Sequence, residues 1–199
     1  MQIVLATENS GKLKEFQALF ESTAHTLISL AEFSVEQAEE TGQTFVENAL
    51  LKARNASLAT GLPCLADDSG LAVAALGGAP GIYSARYAGS GPHGAQTQDQ
   101  ANNAKLLEAL NSVQDRRAHF YCALVLLRAD QDPAPLIATG QWHGHIATEP
   151  SGSNGFGYDP LFIDASSGNT AASLAPSEKH ARSHRGRAWD VLKQQLASL

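Results

Sequence analysis

The chain opens on an unbroken apolar run, QIVLAT at 2–7, which stops at the polar ENSGK. It resumes as KLKEFQALF, where Leu13, Phe16, Leu19 and Phe20 fall three or four residues apart. The first pattern predicts a buried strand, the second a helix with one apolar face. HTLISL at 25–30 predicts another strand. Strand, glycine-bearing loop, helix and strand open an α/β protein. Thr44 with Glu47 three residues on is a capping-box signature, and Gly61 closes the segment, so a helix is predicted over 44–61. Val46, Leu50 and Ala53 mark one of its faces, Asn48 and Lys52 another. PCLADDSGLAVAAL at 63–76 predicts two short strands flanking an acidic turn, and the glycine-rich 77–96 predicts a loop. DQANNAKLLEALN predicts a helix with Leu106, Leu107 and Leu110 on its apolar side. HFYCALVLLRA and PLIATGQWHGHIAT predict an antiparallel hairpin across DQDPAP. A loop at 151–160, a short strand LFI and a terminal helix over 183–199, with Trp189, Leu192, Leu196 and Leu199 at helical intervals, complete the chain.

Composition narrows the class. At 199 residues, 43% hydrophobic and 17% charged, the sequence describes one globular domain or two closely joined lobes, without internal repeat or linker. No apolar run approaches the roughly 20 residues of a membrane span, and the N-terminal segment lacks the basic and apolar regions of a signal peptide. A cytoplasmic protein is expected. Cys64 and Cys122 lie in apolar segments, which predicts buried thiols rather than a disulfide. A formal net charge of −6 argues against coating nucleic acid or an anionic membrane, yet leaves room for a local basic pocket.

Five stretches carry candidate chemistry. TENSGK at 7–12 leaves a strand and enters a helix, so backbone N–H groups, the helix N-terminus and Lys12 can approach a phosphate. It is not a P-loop, which needs glycine where Ala6 stands and Ser or Thr where Leu13 stands. Glu39, Glu40, Asp67 and Asp68 are the acids that could meet Mg²⁺, which takes one or two carboxylates plus substrate phosphates. The competing reading is a turn capped by Asp67, with Asp68 and the Glu39–Glu40 loop solvated. FGYDP at 156–160 reads either as a base-stacking loop or as a packed turn. SEKHARSHRGR at 177–187 is a basic cluster in an acidic protein, able to meet phosphates or a purine carbonyl. His143 and His145, two apart on a strand, share a face without an evident third ligand and read as solvent-facing.

Taken together, TENSGK, EETGQTFVENALLKA, LADDSGLAVAALGGAPGIYSARYAG, GFGYDPLF and EKHARSHRG resemble the inosine triphosphate pyrophosphatase family, and within it the bacterial dITP/XTP pyrophosphatases. The likeness runs from the first strand to the last helix. It implies an elongated α/β fold, a long mixed sheet forming two lobes around a central cleft in a single domain over 1–199. It also implies hydrolysis of ITP, dITP or XTP to monophosphate and pyrophosphate, and a homodimer. By the resemblance, Thr7, Glu8, Asn9, Ser10, Gly11 and Lys12 form the triphosphate loop, and Lys52 reaches the phosphates. Glu40 and Asp68 hold Mg²⁺ with Asp67 beside them, Asp68 also accepts the water's proton, and Ser69 touches substrate. Phe156, Gly157, Tyr158 and Asp159 line the base, which Lys179, His184 and Arg185 recognise. Two departures stand out: Glu8, where relatives often carry an uncharged residue, and the longer segment GSGPHGAQTQ. Rival readings are an NTPase releasing orthophosphate and a nucleotide-binding module without catalysis.

Overall fold

The computed structural model describes every residue except 22, 90, 92, 93, 95, 198 and 199. His93, Leu199 and part of the GSGPHGAQTQ segment therefore lie outside the described residues. Among the described residues six strands, β1 (Gln2–Leu5), β2 (Thr26–Ser29), β3 (Cys64–Val73), β4 (Arg117–Leu127), β5 (Leu136–Ile146) and β6 (Phe162–Asp164), form one mixed sheet in the order β2-β1-β3-β4-β5-β6. β1 pairs parallel with β2 and β3, and β5 antiparallel with β6. Among the described residues five α-helices accompany it: α1 (Ser10–Phe20), α2 (Phe45–Thr60), α3 (Gln98–Ala109), α4 (Pro176–Arg182) and α5 (His184–Leu196).

The local signals explain most boundaries. Thr44 and Glu47 form the reciprocal capping box that starts α2, and Gly61 ends it with φ 68 in the left-handed region. The clearest departure is β3. The sequence pattern predicts a turn at Asp67-Asp68, but a single ten-residue strand runs straight through both acids. Its backbone need not turn toward water because each carboxylate meets a cation inside the protein. The terminal helix expected over 183–199 appears as α5, and a short helix that the pattern did not predict, α4, precedes it, the two separated at Ser183. The glycine-rich stretch holds a 3-10 helix at Gly81–Arg86.

Two compact units divide the chain. The first comprises 1–68, 122–140 and 185–199, the second 69–121 and 141–184. In the first, α1 and α5 pack Phe16, Phe20, Ala188, Trp189 and Leu192 onto Ile3, Leu5, Leu65 and Leu124 of the sheet, with the Phe20 and Trp189 rings 4.6 Å apart. In the second, Leu71, Leu106, Phe120, Trp142, Tyr158 and Phe162 form a separate core. Both cysteines are buried free thiols. Among the described residues no helix is long and apolar enough to cross a membrane.

Candidate active site

In the first unit the site grows from the end of β1. Asn9 caps α1, its Oδ1 accepting the Lys12 N–H at 2.9 Å, while Thr7 Oγ1 accepts the Asn9 N–H at 3.2 Å. These bonds start the helix at Ser10 and place Lys12 in its first turn. Glu8, Asn9 and Ser10 face solvent, so the unexpected carboxylate of Glu8 stands exposed. Lys12 turns inward, and its Nζ lies 2.9 Å from Asp67 Oδ1.

Successive strand residues point to opposite faces, so the paired acids part company. Asp67, with a side chain 0% exposed, shares Leu65's face; its Oδ2 accepts from Arg185 Nη2 at 3.0 Å, and Arg185 Nη1 also pairs with Glu15. Burial by itself pushes the Asp67 carboxyl up; the charges of Lys12, Arg185 and Lys52 prevail and hold it well below the usual carboxylate range. Arg185, 2% exposed, is disfavoured as a cation by burial but kept above its ordinary value by Asp67 and Glu15. The Cys122 thiol, 3.9 Å from Asp67 Oδ2, is driven up by burial and then by that carboxylate, which makes it unreactive.

Asp68 faces α2. Its Oδ1 lies 2.7 Å from Lys52 Nζ, the same ammonium sits 3.1 Å from Glu40 Oε1, and Asn48 Nδ2 reaches Asp68 Oδ2 at 3.5 Å. Here burial outweighs the attraction of Lys52, and the Asp68 carboxyl is pushed above its ordinary value. Lys52 loses proton affinity through burial but regains more from Asp68, Asp67 and Glu40, so it is held charged. The two neighbouring acids are thus shifted in opposite directions, Asp67 downward by its cations and Asp68 upward by burial. The loop before α2 is shaped by close approach. Gly42 N–H donates to Asn48 Oδ1 at 2.8 Å, and a Cβ on Gly42 would stand 2.6 Å from Glu47 Cβ.

Glu40 and Asp68 converge on a single cation, at present the Lys52 ammonium. Among the described residues no three His, Cys, Asp or Glu side chains form a metal cluster. Mg²⁺ needs no such cage, since one or two carboxylates plus waters and phosphates suffice, and these residues fit it.

The second unit holds a different cluster. Asp159 Oδ2 accepts the Phe156 N–H at 3.0 Å and Lys179 Nζ at 2.7 Å, with that ammonium 5.0 Å from the centre of the half-buried Phe156 ring. Gly155 is required there: φ is +78, and a Cβ would meet Asp159 Oδ2 at 2.0 Å. Tyr158 is a core residue, its hydroxyl donating to the Ser84 carbonyl at 2.8 Å. α3 grips both ends of Gly157: its N–H donates to Asp99 Oδ2 at 2.8 Å and its carbonyl accepts from Asn103 Nδ2 at 3.0 Å. His184 is buried, stacked on Phe120 at 4.8 Å with 14° between ring planes, and Ser69 is half-buried.

The expected site residues therefore fall into two groups, Thr7 to Lys12, Glu40, Lys52, Asp67, Asp68 and Arg185 in the first unit, Ser69, Phe156 to Asp159, Lys179 and His184 in the second. The basic cluster of the sequence does not stay together: Lys179 goes to Asp159, Arg182 to Asp164 at 3.1 Å, and Arg185 to Asp67. Sequence reasoning missed Glu15, although its place three residues after Lys12 on a helix was a usable signal. It also missed Asp99 and Asn103, four apart on α3, whose role shows only through the loop they hold.

Comparison with known proteins adds an independent line. The model of the Ham1 family matches residues 3–195. A dITP/XTP pyrophosphatase of Pseudomonas syringae pv. tomato is 57% identical over 198 residues, covering 98% of this chain and 96% of the relative. One from Escherichia coli O157:H7 is 52% identical over 197 residues, covering 98% of each. Among solved structures, a HAM1 protein from Coxiella burnetii superposes with a TM-score of 0.90 at 51% identity over all of both chains. A nucleoside-triphosphatase / dITP/XTP pyrophosphatase from Mycobacterium abscessus gives 0.75 at 45% identity, covering 96% of this chain and 98% of the other.

Proposed function

The chain belongs to the Ham1 family, and from that premise we propose that it is a hydrolase converting non-canonical purine nucleoside triphosphates, dITP, ITP and XTP, to the monophosphate and pyrophosphate. The observation that carries the reading is the pair of adjacent acids on β3. Asp67 is locked as an anion between Lys12 and Arg185, while Asp68, raised in proton affinity, shares Lys52 with Glu40.

A water would lose its proton to Asp68 as its oxygen attacks the α-phosphorus in line. The bond from that phosphorus to the α,β-bridging oxygen breaks, and pyrophosphate leaves with the electron pair. Glu40 and Asp68 would hold Mg²⁺, whose charge would neutralise the phosphates when bound, while Asp67, on the other face of β3, orients Lys12 and Arg185. With Mg²⁺ held there, Lys52 would share these acids less and its ammonium would be available to the triphosphate. Lys12 and the N-terminal turn of α1 would supply further positive potential. Arg185 is better cast as the clamp that orients Asp67 than as a direct reader of the base, since both ends of its guanidinium are engaged by acids.

Base recognition we assign to Phe156, Gly157 and Asp159 with Lys179 and His184, Tyr158 anchoring their loop through its bond to Ser84, and a substrate contact to Ser69. Phe156 offers a ring face, and a donor such as Lys179 favours the carbonyl at C6 of hypoxanthine or xanthine over the amino group of adenine. A homodimer working in the cytoplasm completes the proposal, and light scattering on the purified protein tests the dimer.

The test of the reaction is a product assay with Mg²⁺ on dITP, ITP, XTP, ATP and GTP, scoring pyrophosphate and orthophosphate separately. Fast pyrophosphate release from the first three and slow release from the last two supports the proposal. Orthophosphate as the primary product, or equal rates on ATP, overturns it in favour of a general NTPase, and binding without turnover in favour of a binding module.

A further inference from the structure

The strand motif His143-x-His145 is unused by the chemistry above, and within the second unit the structure gives it a neighbour that the sequence did not reveal. β4 and β5 are adjacent in the sheet, and the Ile146 N–H donates to the Arg116 carbonyl at 2.9 Å. Three residues further along β4 and three back along β5, His119 faces His143. Such cross-strand neighbours present their side chains on one face of the sheet. Their ring centroids are 5.5 Å apart, with planes inclined at 39°. They border a depression of about 830 Å³ also lined by Val73, Arg117, Ala118 and His145.

We propose that His119 and His143 form a binding site for one borderline divalent transition ion of the copper, nickel or zinc class, chemically distinct from the carboxylate pair that suits Mg²⁺. The geometry is the first argument. A metal–nitrogen bond of about 2.0–2.1 Å, plus roughly 1.1 Å from nitrogen to ring centre, puts each ring centre about 3.2 Å from a shared ion. Centroids at the observed 5.5 Å then correspond to an angle of about 120° at an ion that both rings face, close to tetrahedral. Charge is the second. His119 is held below the ordinary imidazole range, by burial first and by His143 second, so its lone pair is available near neutrality. The acid lining the depression, Asp115, is committed to Arg117 at 2.7 and 2.9 Å and gives neither ring a counter-charge. A metal satisfies both imidazoles where two protons would repel.

Two imidazoles leave the remaining positions to water or an exchangeable anion, and among the described residues no third acid, thiol or imidazole completes a cage. The site is therefore open rather than structural. Selection follows from ligand softness: Cu²⁺ binds ahead of Ni²⁺ and Zn²⁺, and Mn²⁺ or Mg²⁺ compete poorly.

The test uses untagged full-length protein carrying His25→Ala, because His25 Nδ1 lies 3.2 Å from the terminal amine and would offer a competing chelate. With excess Mg²⁺ present, Cu²⁺, Ni²⁺ and Zn²⁺ are titrated in turn by calorimetry, and imidazole nitrogens are followed by long-range ¹H–¹⁵N spectra. The expected result is one ion per chain, shifts confined to His119 and His143, and a loss of about tenfold or more in affinity in either His119→Ala or His143→Ala. Circular dichroism and nucleotide turnover matching the parent would show that each variant is folded. Affinity unchanged in both variants, Mn²⁺ or Mg²⁺ competing on equal terms, or no shift at the two rings would overturn the proposal.

Discussion

Substituting Asp67→Asn keeps the shape of the side chain on β3 and deletes its charge. In the folded protein that charge is buried and contacts Lys12 at 2.9 Å and Arg185 at 3.0 Å. Removing one partner of a buried ion pair typically costs about 3–5 kcal/mol, because the remaining charge stays buried without compensation. Two features place this case at the lower end, about 3 kcal/mol. Arg185 keeps Glu15, and Lys12, whose side chain is 15% exposed, can swing toward water. For a chain of this size that corresponds to a fall in Tm of about 6–12 °C. Urea unfolding in metal-free buffer at neutral pH measures it. The pH dependence supplies a second check. The Asp67 carboxyl is held below its unfolded value, so its contribution is present above about pH 4 and is lost as pH falls toward the folded value. The difference between parent and variant should therefore shrink on acidification, because only the parent loses this contribution. A loss below about 1 kcal/mol, or a gap that widens in acid, would refute the picture of Asp67 as a clamped anion.

Other outcomes follow from the same site. Asp68→Asn should reduce kcat by about 10²–10⁴ while leaving nucleotide binding measurable by calorimetry, since general-base catalysis contributes on that scale; undiminished turnover sinks the assignment. Lys52→Met removes the ammonium that Glu40 and Asp68 now share, so Mg²⁺ should bind the nucleotide-free protein more tightly while kcat falls. Equal Mg²⁺ affinity in a direct titration would show that Lys52 does not occupy the cation position. Gly42→Ala drives a methyl into Glu47 and Asn48, and should lower both Tm and kcat without changing the oligomeric state; a variant as active as the parent would mean that the loop before α2 absorbs the clash.

Much of the fold is legible in the sequence because local and tertiary preferences agree. The capping box at Thr44 and Glu47, the left-handed Gly61 and the apolar spacing of α1 each appear in the structure where the pattern puts them. The acidic pair reads as a turn because Asp has a poor intrinsic preference for strand interiors, and only the tertiary cations of α1, α2 and α5 override that preference. The same limit governs the basic cluster at 177–187, whose members part company because α4 and α5 begin separately and turn Lys179 and Arg185 toward different acids. Asp99 and Asn103 are hidden for another reason. Their partners are the backbone groups of a loop more than fifty residues away, and a backbone has no signature in a sequence. His119 and His143 likewise become neighbours only through the register of β4 and β5.

Attack of water on the α-phosphorus is the central chemical claim. Hydrolysis of dITP or XTP in H₂¹⁸O, followed by mass spectrometry of both products, tests it most directly. Such attack places one ¹⁸O atom in the nucleoside monophosphate and none in the pyrophosphate. Label in the pyrophosphate, or a diphosphate product with labelled orthophosphate, would contradict it.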